Sequence, residues 1–261
     1  MNQKFHSKPV LVGFSLLALA ALILPFNFVL IAPGPTKNLL NGTVSISNAQ
    51  TNSINDGALY STTIYATSPQ DRPFGFQVLV AWLSGDLAVF PRDAVYGNEP
   101  AKVSEKKEKK EMLNSQSAAA EAALAFISQI PNYPRQSWSP SDVKVSMKGV
   151  GGGSAGLAFA LTLITKTVDP ELIGGRKIAV TGAISKSGKV SEIGGVDQKI
   201  LGAKKAGAKM FIMPRANCSS QTKSPKGMSI YAVRNLSEAV HLLALSKSGG
   251  SQVSSFTCSQ K

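Results

Sequence analysis

The sequence predicts an α+β fold, and three observations carry that prediction. Beyond residue 141, short β-rich runs alternate with runs of helical period; a long block of strong helix formers precedes them; and an uncharged apolar run opens the chain. With 261 residues, 43% of them hydrophobic, the chain can fill the core of one or two domains.

Residues 10–31 are 22 residues without a charge. As a helix rising about 1.5 Å per residue they would reach roughly 33 Å, the thickness of a bilayer core. Lys4 and Lys8 precede the run and the next charge after it is Lys37. The positive-inside rule then predicts a cytoplasmic segment over 1–9, a transmembrane anchor over 10–31, and an extracytoplasmic remainder at the cell membrane. A cleaved signal peptide whose apolar region ends before Pro25 is the alternative. Either topology is oxidising, so Cys218 and Cys258 can be bridged.

Residues 32–41 (IAPGPTKNLL) read as a Pro/Gly-rich exit, followed by short β-rich runs at 43–47 and 61–67 and an apolar stretch at 74–90. Residues 104–130 predict one long helix with a solvated, Lys/Glu-rich first half, completing a β-rich and helical region over 32–130. A proline-broken connector covers 131–140. Strands are then expected at 143–147, 177–184 and 210–214, and helices at 154–165, 196–206 and 236–245. The domain so formed covers 141–247, with a C-terminal tail at 248–261.

Composition excludes several chemistries. The only histidines are His6 and His241, so no zinc site built on paired histidines is available and a Ser-His-Asp triad would depend on His241 alone. No metal or cofactor is expected. The formal charge of +13 favours anionic surfaces, but without basic–aromatic interleaving nucleic acid is not an expected partner.

Two motifs carry chemistry. GVGGGSAGLAFAL (149–161) places Ser154 after three glycines at the start of a helix, where free N–H groups can stabilise an oxyanion. A Walker phosphate loop, G-x-x-x-x-G-K-[ST], is absent. A simple serine N-cap is the structural alternative. In SEIGGVDQKILGAKKAGAK (191–209), Val196, Ile200, Ala203 and Gly207 form a helix stripe with Lys199 at its edge and Lys205 pointing away. A lysine on a core-facing stripe loses solvation and acquires a pKa suited to a base. Serine chemistry without histidine needs such a base.

Together, GGGSAGLAFAL and IAVTGAISKSGKVSEIGGVDQKILGAKKAGAKMFIMP resemble the proteolytic domain of Lon peptidases over about residues 141–245. The resemblance implies a Lon proteolytic-domain fold with Ser154 as nucleophile and Lys199 as general base. Gly153 and Ala155 flank the serine, and Thr181 stands where the family has a threonine bonded to the lysine. The apolar N-terminus, the APGPT segment, the SQSAAAEAAL helix and the Asn217–Cys218 pair resemble membrane-anchored bacterial Lon-like peptidases. That implies an endopeptidase on unfolded or flexible protein segments, independent of ATP, lacking the ATPase and PDZ modules, and assembled as a homo-oligomer, a hexamer. Gly151 and Gly153 replace an acidic residue and a proline of many Lon-type sites, which predicts a pliant turn. A catalytically silent binding or assembly module is the rival reading.

Overall fold

The computed structural model describes residues 7–47, 51–52, 54, 56–97, 99–134, 138–147, 150–249 and 251–258. Lys4, His6, Gly149, part of the connector and the end of the tail lie outside the described residues. The chain divides into two compact units, Met1–Ala32 with Tyr65–Ala101, and Pro33–Ile64 with Lys102–Lys261. Both contain parts of strands β1 (Phe28–Asn38) and β3 (Ala58–Ala66).

In the first unit the apolar run does not form one spanning helix. Helix α1 (Ser7–Ile23) closes just before Pro25, which lacks the N–H that a continuing helix needs. Phe28–Ile31 instead enter β1 with alternating burial and pair antiparallel with β4 (Ala88–Pro91), Phe28 opposite Pro91 and Ile31 opposite Ala88. No described helix is long and apolar enough to cross a membrane. The expected anchor over 10–31 is corrected accordingly, and the expected Pro/Gly exit at 32–41 is mostly strand. The apolar stretch at 74–90 becomes helix α2 (Gly75–Ser84) and β4, with the short α3 (Arg92–Tyr96) following. Helices α1 and α2 pack together at Gly75, where an added Cβ would overlap the carbonyl oxygen of Ala21. Their other faces stay bare: Leu17 is 70% and Leu83 78% exposed, with Trp82 and Phe14 similar.

The second unit is a mixed α+β domain. Its central sheet runs β10-β9-β6-β3-β1, with β6 (Lys177–Val180), β9 (Met210–Pro214) and β10 (Ser229–Val233) parallel to β3. Parallel strands are covered on both faces, and alternation along them separates two cores. Ile178, Val180 and Ile212 face the larger core, with α5 (Gly156–Thr167), α7 (Leu236–Lys247) and the apolar half of α4 (Ala101–Ile127). Ala179, Phe211 and Met213 face the smaller one, against Val196, Ile200 and Ala203 of α6 (Val196–Lys205). At Gly202 helix α6 comes so close to β1 that an added Cβ would stand 2.9 Å from the Gly34 oxygen. The remaining strands form two antiparallel pairs, β2 (Val44–Ile46) with β5 (Val143–Val145), and β7 (Ala183–Ile184) with β8 (Val190–Ser191).

Candidate active site

Ser154 lies in the turn that delivers the chain into α5, two residues before the first helical position. It is half-buried, while Ala155 beside it is buried. Helix α5 is twelve residues long and its positive end points at this turn. The carbonyl oxygen of Ser154 is held twice: the N–H of Gly182 donates to it at 2.7 Å and the hydroxyl of Thr181 at 3.2 Å. Leu157 N–H returns a bond to the Gly182 oxygen at 3.0 Å. These three bonds splice the start of α5 onto the end of β6, whose ladder Thr181 extends by donating its N–H to the Ile212 oxygen.

On the other side, α4 closes onto the turn. Gly152 N–H donates to the Glu108 carbonyl at 3.0 Å, and the Ser115 hydroxyl donates to the Gly153 oxygen at 2.9 Å. The glycines follow from this approach. A Cβ on Gly151 would meet the Glu108 side chain at 2.9 Å, and one on Gly156 would meet Ser115 Oγ at 2.8 Å and Ile184 Cγ2 at 2.7 Å. Gly152 has φ +80, the left-handed conformation that glycine adopts without strain. The turn expected to be pliant is thus packed against a helix and bonded to it. The Glu108 carboxyl sits there with its pKa raised, first by burial and then by the charges of Glu111 and Glu105.

Lys199 is on α6, 3% exposed, and its amine is pulled down to about 7 by burial. Lys166 on α5 is the useful contrast. Burial lowers its pKa too, but its ammonium donates to the Val44 carbonyl at 2.7 Å and fastens β2. Lys205 is exposed, as its place off the apolar stripe requires. Along β6, Ala179 faces α6, and strand alternation puts Thr181 on the same side as the helix carrying Lys199. The bond that Thr181 donates through its hydroxyl goes to the Ser154 oxygen and not to the lysine.

Three residues bonded around these groups were not expected there, although Asn217 stood in the Asn217–Cys218 pair. Ser115 and Glu108 lie on the half of α4 expected to be solvated; the signal was a stripe at helical spacing, Ser104, Glu108, Met112, Ser115, Ala119, running straight through the charged block. The third, Asn217, is 4% exposed and brackets Ile193: its Oδ1 accepts from Ile193 N–H at 3.0 Å and its Nδ2 donates to Ile193 O at 2.9 Å. Its neighbour Cys218 is disulfide-bonded to Cys258.

The family model for the Lon protease (S16) C-terminal proteolytic domain matches residues 111–245, more than half of the chain. Fold and match together define the class as a Lon-type proteolytic domain. Among curated relatives, the Lon protease of Trichlorobacter lovleyi is 41% identical over 95 residues, which are 35% of this chain and 11% of that protein. Lon protease 1 of Borreliella burgdorferi is 36% identical over 100 residues, 35% of this chain and 12% of its own. The archaeal Lon protease of Methanocaldococcus jannaschii is 36% identical over 108 residues, 41% and 16% respectively. The chain belongs to the Lon protease C-terminal proteolytic domain family, and its matched segment spans only 11–16% of the length of these relatives.

Proposed function

We propose that this chain is a serine endopeptidase working through a Ser154–Lys199 dyad. The observation that carries the reading is Lys199 itself, a nearly inaccessible lysine whose amine is drawn down by burial to titrate at about 7 and which sits on the helix that covers the Ala179 face of the sheet. A neutral amine can accept the proton of Ser154 Oγ as that oxygen attacks a peptide carbonyl. The tetrahedral oxyanion is assigned to backbone N–H groups of Ser154 and Ala155 at the positive end of α5, because Gly152 N–H is already bonded to Glu108. The lysine then returns its proton to the departing amine, and water hydrolyses the acyl-enzyme.

The substrates in this reading are unfolded or flexible protein segments, with cleavage expected to proceed without ATP. Family resemblance supports a homo-oligomeric ring. The bare apolar faces of α1 and α2 support attachment to a lipid surface, and the Cys218–Cys258 disulfide supports an oxidising compartment on the outer side of the membrane.

The test is mass spectrometry of a flexible protein incubated with wild type, Ser154→Ala and Lys199→Ala. Each substitution is expected to lower cleavage at least about a thousandfold, the loss typical of a dyad or triad member. Wild-type turnover in either folded mutant contradicts the dyad, and a wild type that cleaves nothing and fails to react with a fluorophosphonate selects the silent module instead.

A further inference from the structure

The dyad reading leaves open what keeps Lys199 in place, and the loop after β9 answers it. Helix α6 has no side-chain cap at its start; the chain enters it through Gly194 and Gly195, the latter left-handed at φ +65. Two glycines make a loose hinge, so the helix start must be held from outside. Asn217 holds it from one side. Both backbone groups of Ile193 are bonded to this one amide, which also donates to Ser220 Oγ at 3.2 Å. Asp197, in the first turn of α6, is held from the same loop: its carboxylate accepts Thr222 N–H at 2.9 Å, Lys223 N–H at 3.0 Å and the Thr222 hydroxyl. Lys199 N–H bonds Gly195 O at 3.0 Å, one turn from the first bracket.

The loop is itself fastened. Cys218 is joined to Cys258, and the Arg215 guanidinium donates to Thr257 O at 3.1 Å and Ser255 O at 3.0 Å. The tail carrying those acceptors is anchored by Phe256, 8% exposed, whose ring lies 6.2 Å from that of His241. A continuous chain of bonds thus runs from the C-terminal tail through Asn217 to the start of the lysine helix.

We propose that Asn217 is the positioning residue of Lys199, and that the disulfide-fastened tail is the strap that keeps Asn217 in register. The proposal rests on the Ser154–Lys199 reading. Loosening either part lets water reach the amine and moves its titration toward the ordinary lysine range. Other groups around α6 do not supply that effect. Strand β9 carries no titratable side chain; β3 brings Tyr60; β1 brings Lys37, which donates to the Ser146 carbonyl; Glu192, beside Ile193, is exposed; Cys218 and Cys258 are bonded to each other. Arg215 is directed to the tail, Asp197 to the loop, Lys204 to the Lys226 carbonyl, and Lys205 to solvent.

The experiment is the pH profile of kcat and KM between pH 5.5 and 10, on an unstructured protein substrate, for wild type, Asn217→Ala, Cys218→Ser/Cys258→Ser and Lys199→Ala. Wild type rises through about pH 7. In Asn217→Ala the midpoint moves up by at least one unit, so kcat at pH 7 falls about tenfold or more and recovers at pH 9.5 with KM little changed. The double serine variant moves in the same direction by less, and it decides the matter if Asn217→Ala does not fold. An unmoved midpoint in the folded variants, or a loss that is equal at every pH, overturns the proposal. Activity surviving in Lys199→Ala defeats the dyad reading instead, a result recognisable independently of the other variants.

Discussion

The two halves of the candidate site are held in opposite ways. On the serine side, backbone does the positioning. Glycines at 151 and 156 let α4 and β7 come within van der Waals range, Gly152 takes the left-handed turn, and Ser154 is placed by bonds to its own carbonyl and to its neighbours' peptide groups. On the lysine side, a side chain is enclosed by core packing, and two polar side chains, Asn217 and Asp197, pin the start of its helix. In the proposed dyad the nucleophile must stay reachable by substrate, which suits fixing from behind through the main chain. A base with a lowered pKa must stay dry, so it is fixed by burial. The difference explains why substitutions on the two sides should fail differently: steric damage on one, a shifted titration on the other.

Around the serine turn, the largest steric effect is expected at Gly156. A methyl group there has Ile184 on one side at 2.7 Å and Ser115 on the other at 2.8 Å, with no flexible chain end to yield at the Ile184 side. Gly156→Ala should destabilise the protein by about 1–3 kcal/mol in denaturant unfolding, as overpacking does, and lower kcat at every pH equally. A shifted pH midpoint instead would show that the two sides are mechanically coupled. Ser115→Ala should act more gently. It removes one hydrogen bond to Gly153 O and costs about 1 kcal/mol of stability, with a kcat loss of about threefold to tenfold and an unmoved midpoint. Unchanged kcat and stability in Ser115→Ala would mean that α4 does not brace the turn.

Much of this was readable in the chain, and the reasons are local. Strand β9 was expected at its observed residues and α6 to within one, because a short apolar run and an apolar stripe each have a clear period. The 177–184 run was expected as one strand and is two: Gly182 at φ +157 breaks it where Thr181 and Gly182 turn to grip Ser154. Strand β10, Ser229–Val233, went unrecognised among the polar residues ahead of α7. The N-terminus misled most, since an uncharged run has no signal for the point at which it leaves the helix after Ile23 and joins, over Phe28–Ile31, a strand from about sixty residues away. Site residues divide along the same line. Ser154 and Lys199 stand in local patterns, whereas Glu108, Ser115 and Asn217 gain their roles only through partners 24 to 44 positions away.

The central claim is that burial holds Lys199 neutral so that it can activate Ser154, and labelling of Ser154 by a fluorophosphonate as a function of pH tests it most directly. The lysine's pKa is lowered from 10.5 to about 7, so it is protonated below that pH and free to accept a proton above it. Labelling should therefore climb with a midpoint near pH 7 in wild type, vanish in Ser154→Ala, and fall by about a hundredfold or more in folded Lys199→Ala. A rate that is flat from pH 6 to 9, or unchanged without Lys199, would contradict the account.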